Sequence, residues 1–152
     1  MHLYIDYELS ITAYRKTLIG INALITERER LFTKTQPHSV RYTEAHVEGG
    51  PHDDVFASYL VKTEALEKRI SEAEGIASHR KTLVDQAEQL LKASKDTYDI
   101  IYYQKYVLNW TVRKISMHTL YSEPSIYRML KAIEAEVKAL DGIDLTKIVC
   151  FS

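Results

Sequence analysis

Apolar and aromatic residues recur at alternating intervals of three and four along the start of the chain: Tyr4, Tyr7, Ile11, Tyr14, Leu18, Ile21, Ile25 and, past a polar step at Arg28, Phe32. This spacing lays one continuous stripe along a helix with coiled-coil periodicity, and it predicts a first helix over residues 3–33. A second stripe runs through Phe56, Tyr59, Thr63, Leu66, Ile70, Ala73, Ala77, Val84, Ala87 and Leu91, with Arg80 as its polar interruption, and predicts a second helix from Val55 to residue 94. Asp53 and Asp54 stand where they would cap it. The stretch between, about 35–54, holds Pro37, Gly49, Gly50 and Pro51 with almost no apolar period, and reads as a long, mobile loop. A helix of this length spans about 60 Å, so the first helix can fold back along most of the second as an antiparallel hairpin over residues 1–94. Gly20 and Gly75 fall in the middle third of that hairpin, where each either admits a close helix approach or is merely tolerated.

Composition agrees with an all-α fold. Five Gly and three Pro in 152 residues are too few for a β-protein with many tight turns. The length allows one core. A net charge of −1 rules out a polycation, so any affinity for nucleic acid has to come from a local patch. The lone cysteine, Cys150, permits neither a disulfide framework within one chain nor a cysteine-rich zinc site, and fits a reducing compartment. With no signal-peptide pattern at Met1–Asp6 and no apolar run of membrane length, the expected location is cytoplasmic, with no membrane partner.

Past Ser94 the heptad gives way to shorter, tyrosine-rich segments, opening with a cap signal at Lys95-Asp96-Thr97-Tyr98. Residues 95–142 divide into helices over about 95–108, 111–119 and 123–140, joined by Asn109-Trp110 and by Leu120-Tyr121-Ser122. The expectation is a long coiled-coil-like hairpin followed by a three-helix module, with a strand-like tail over 143–152. Within the module, Trp110 to Lys131 has helix-turn-helix spacing. Ile115 would be buried beside the small Ser116, over which the next helix crosses. Ser122 would cap that helix, with Pro124 in its first turn. Ile126 and Met129 or Leu130 would face the core, leaving Glu123, Ser125, Tyr127, Arg128 and Lys131 outside, on the helix that would enter a DNA major groove.

On Tyr106, Thr111, Ile115, Ser116, Ser122, Ile126, Tyr127 and Arg128, this segment resembles region four of bacterial sigma factors. The layout of residues 5–140 also resembles late-gene regulators of the RinA and ArpU group from phages of Gram-positive bacteria. The resemblance implies a DNA-binding transcriptional regulator in a bacterial host cell, docking on RNA polymerase. Two positions depart from the pattern. Leu120 stands where such turns often carry Gly, and Glu123 places a negative charge at the front of the recognition helix.

Residues 95–140 carry seven basic and five acidic side chains, a net of +2, against −2 for residues 1–94. The sign suits double-stranded DNA, but the excess is small, so affinity would depend on homo-oligomerisation through the long helices or on another protein. Ser125, Arg128 and Lys131 are the expected base contacts, flanked by Glu123 and Tyr127. Lys105, Arg113 and Lys114 would hold phosphates. Of the tyrosines, Tyr98, Tyr102, Tyr103, Tyr106 and Tyr121 are expected mostly in the core, with Tyr127 outside, and Trp110 is expected to plug the inter-helix turn. The competing reading is a helical adaptor whose hairpin binds another helical protein and whose terminal bundle only packs. His38, His46 and His52 with Glu44, Glu48, Asp53 and Asp54 match no ligand spacing, so no metal or other cofactor is expected. No nucleophile elbow or phosphate-cradling Gly-rich loop appears, and catalysis is not expected.

Overall fold

A computed structural model describes residues 2–35 and 52–141, the side chains of residues 34, 35 and 52–55 excepted. The described residues are all-α, with no strand among them. Two long helices, α1 (Leu3–Thr35) and α2 (His52–Ala93), precede α3 (Thr97–Tyr102), which runs into a π turn over Tyr103–Val107. Then come α4 (Val112–His118) and α5 (Glu123–Leu140). The start of α2 corrects the expectation of Val55. The helix begins directly after Pro51, which fits poorly inside a helix beyond its first turn, so Asp53 and Asp54 lie within the first turn rather than capping it. The loop residues His38, Glu44, His46 and Glu48, and the tail 143–152, lie outside the described residues, as do the side chains of His52, Asp53 and Asp54.

The chain divides into two compact units whose boundaries cut both long helices: residues 1–15 with 79–152, and residues 16–78. The first unit therefore does not begin at residue 95. Its core explains why: Tyr4 and Leu91 share one buried cluster with Ile101, Tyr102, Val112, Ile115, Ile126, Leu130 and Ile133. Three short helices present too little apolar surface to close a core alone, and the ends of α1 and α2 complete it. Within this unit the first turns of α1 run antiparallel to the last turns of α2. The Tyr7 phenol lies in the field of Glu88, and the Arg80 guanidinium donates to the Ala13 carbonyl at 3.1 Å. Arg80 thus sits in the stripe with its guanidinium donating to a backbone oxygen of α1.

In the second unit Ile21, Leu66, Ile70 and Ala77 are buried, and Arg28, the polar step of the first stripe, pairs with Glu67 at 2.9 Å. Phe32 and Phe56, the stripe residues nearest the segment 36–51, are exposed, so the stripe reaches further than the burial does. A Cβ built on Gly20 or Gly75 meets nothing within 4 Å, which removes close helix approach as the reason for either glycine.

The third predicted helix is interrupted. Asp96 caps α3 through the Asp99 amide, but after six residues the hydrogen-bond spacing widens, with the Leu108 amide donating to the Tyr103 carbonyl at 3.0 Å and the Trp110 amide to Gln104 at 2.9 Å. Asn109, at φ 56°, then reverses the chain into α4, a left-handed conformation that asparagine tolerates better than most residues.

Candidate nucleic-acid interface

Helices α4 and α5 are joined by four residues, Thr119 to Ser122, and cross over a shared apolar contact. Ile115 and Ile126 are fully buried there, and the Ser116 hydroxyl donates to the Tyr121 carbonyl at 2.8 Å, pinning the turn from beneath. Among the described residues only Asn109 combines a side chain with positive φ. The turn therefore makes no demand for glycine, and Leu120 stands fully in solvent without backbone strain. Ser122 has the extended backbone of an N-cap, with Pro124 in the first turn. Its hydroxyl, however, pairs with the Ser125 hydroxyl at 2.9 Å instead of capping an amide.

Successive residues of α5 turn by about 100°, so burying Ile126, Leu130 and Ile133 puts Tyr127, Arg128 and Lys131 on the outward side. Glu123 is exposed at the front of the helix and Ser125 is half-buried beside Ser122. Among the described residues, the side chains of Arg113, Arg128 and Lys131 are exposed and have no hydrogen-bond or ion-pair partner.

The predicted residues fall into two groups. Lys105, Tyr127 and Lys131 line one open concavity of about 610 Å³, together with Thr111, Val112, Leu130 and Glu134. Arg113, Lys114, Glu123, Ser125 and Arg128 do not line it. Lys114 is already engaged: its ammonium lies 4.4 Å from the centre of the Trp110 ring, whose other neighbour is His118 at 4.8 Å between ring centres. Trp110 is half-buried against the core cluster, packing the α3–α4 connection while carrying a cation on its open side. Neither Thr111 nor Glu134 stands out in the sequence as a site residue, because nothing local distinguishes a capping threonine or a surface glutamate that borders a concavity.

A second cluster holds the N-terminus onto this unit. Asp99 is 2% exposed, and its carboxylate accepts the Tyr4 amide at 3.0 Å and the Ser94 hydroxyl at 2.7 Å. The Tyr4 hydroxyl donates to Glu136 and the Tyr102 hydroxyl to Glu8. His2, Tyr4, Tyr102 and Tyr106 form a continuous series of rings with centres 5.0–5.2 Å apart. Burial, reinforced by these carboxylates, raises the Tyr4 and Tyr102 phenols well above their ordinary range, and burial beside Glu134 raises Tyr106. His2, Asp96 and Asp99 each bring one possible metal ligand atom within 4.8 Å of the others. Those atoms already have partners: His2 pairs with Asp96 at 2.7 Å, and both Asp99 oxygens accept protons. The group is accounted for as a latch on the first turn of α1.

Among the described residues no helix is long and apolar enough to cross a membrane. No family model, no curated protein and no solved structure matches this chain.

Proposed function

We propose that the chain is a sequence-specific DNA-binding transcriptional regulator, of the kind that controls phage late genes, in which α4 and α5 act as a helix-turn-helix and α5 enters the major groove. The observation that carries this reading is the outer face of α5. A helix whose inner side locks onto α4 through Ile115 and Ile126 presents Tyr127, Arg128 and Lys131 to solvent, with both cations unpaired among the described residues. An unpaired guanidinium on such a face is free to take the O6 and N7 acceptors of a guanine. Arg113 on α4 supplies a phosphate contact, and Lys114 a weaker one because Trp110 competes for its charge. The net charge of +2 over residues 95–140 is too small for tight binding by one copy, so the reading includes self-association through the long helices or contact with RNA polymerase.

Selection from a random-sequence duplex pool, followed by anisotropy titration with the enriched duplex, tests the reading. Arg128→Ala is expected to weaken specific binding by about 1–3 kcal/mol and to relax preference at one base position. Absence of salt-dependent binding to any duplex would overturn it. A helical adaptor is the second reading, supported by the exposure of Ile19, Phe32, Phe56 and Val61 in the unit of residues 16–78. Under that reading, partner capture survives Arg128→Ala and no duplex is enriched.

A further inference from the structure

We infer that the concavity beside α5 is a seat for one phosphodiester group of a DNA strand, and that Lys131 serves this seat instead of reading a base. The inference rests on the DNA-binding reading and reassigns one of its contacts. Three elements converge on the concavity. Lys105 comes from the π turn, Thr111 from the cap of α4, and Tyr127 and Lys131 from adjacent turns of α5, while Arg128 stays outside it. Positions four apart share a helix face, so Tyr127 and Lys131 act together, whereas Arg128 points elsewhere.

The lining suits an anion with one charge. Thr111 accepts the Lys114 amide proton at 3.2 Å through its hydroxyl oxygen, which leaves its own proton available to donate. The Tyr127 phenol is a second neutral donor, and it too has no hydrogen-bond partner among the described residues. Against the two lysines stands one carboxylate, Glu134, which accepts the Tyr106 hydroxyl at 3.4 Å. The lining therefore carries a net charge of +1, which balances a phosphodiester and leaves the dianion of free phosphate undercompensated. Buried Val112 and Leu130 lie beneath, and an apolar floor strengthens each charge interaction above it. Lys105, within the π turn, is half-buried on the side of the concavity.

Full-length protein is titrated with the random-sequence duplex pool and with the enriched duplex over a range of KCl concentrations, using Lys105→Gln, Lys131→Gln and the double variant, with circular dichroism melts confirming the fold. The logarithm of affinity falls with the logarithm of salt by about 0.9 per neutralised phosphate. If the lysines share one phosphate, the double variant loses about that much slope in total, not twice as much, and the ratio of enriched-duplex to pool affinity is unchanged. A loss of about two phosphates, no loss, or a fall in that ratio for Lys131→Gln overturns the seat while leaving DNA binding intact. Displacement of duplex by inorganic phosphate beyond that by KCl of equal ionic strength, abolished in the double variant, assigns the site to free phosphate and overturns the diester assignment. Failure of the wild-type protein to bind any duplex overturns the DNA-binding reading and the seat with it.

Discussion

Replacing Asp99 with alanine tests how the start of α1 is held. The carboxylate is buried and accepts two hydrogen bonds, from the Tyr4 amide and the part-buried Ser94 hydroxyl, so Asp99→Ala leaves two donors without their acceptor. A buried donor left unsatisfied costs about 1–3 kcal/mol, which puts the variant about 2–6 kcal/mol below the wild type. At roughly 2–4 °C per kcal/mol for a chain of this size, the melting midpoint should fall by about 10 °C. Asp99→Asn retains the shape and one accepting oxygen, and should lose about half as much. Asp96→Ala serves as the comparison. Its pair with His2 is solvent-exposed and contributes about 0–1 kcal/mol, to which the lost cap of α3 adds about 1 kcal/mol. Circular dichroism melts and urea titrations of the three variants read the order directly. An Asp99→Ala midpoint equal to that of the wild type would refute the argument that the carboxylate holds the first turn of α1 to the unit.

Two other perturbations follow from the geometry. Gly20→Ala and Gly75→Ala should each stabilise the protein by about 0.5–1 kcal/mol, because the added methyl meets nothing and helical backbone entropy is recovered; a lower urea midpoint for either would restore close packing as the glycine's role. Tyr4 and Tyr102 favour their neutral phenols in the folded state, so their contribution is fully present below the ordinary phenol range near pH 10 and is lost as pH rises above it toward their folded values. Absorbance titration near 295 nm should show these two tyrosines ionising only as the fold is lost, with Tyr102→Phe removing one late-titrating group; ionisation with the exposed tyrosines, before unfolding, would contradict their burial.

The long helices and the α4–α5 pair were legible in the sequence for a local reason. A stripe such as Leu66, Ile70, Ala77, Val84 and Leu91 reports burial through spacing alone, and all five residues are buried. Ser122 with Pro124 marks the start of α5 in the same local way. What escaped depends on partners far along the chain. Tyr4 reads as one more stripe residue until Asp99 and Glu136 are placed beside it, and no local pattern joins residues so distant. The π turn was hidden because Tyr103–Val107 has the composition of ordinary helix, and its widened spacing is fixed by the bond from Trp110 back to Gln104. Of the candidate site, the residue types on α5 were legible; the grouping of Lys105 with Lys131, and the capture of Lys114 by Trp110, arise only from tertiary packing that no local pattern encodes.

The attachment of Tyr4 to Asp99 and Glu136 also constrains the order of events during synthesis. Tyr4 is synthesised 132 residues before Glu136, so the latch cannot close until the whole intervening chain has been made. Helices α3 to α5 can form as soon as they emerge, but the core they share closes only with the ends of α1 and α2 in place. Contacts across 95 and 132 residues make closure of the first unit a late, slow step compared with helix formation itself. Until then Tyr4 lacks its partners on α3 and α5, and the nascent chain is open to engagement by chaperones there.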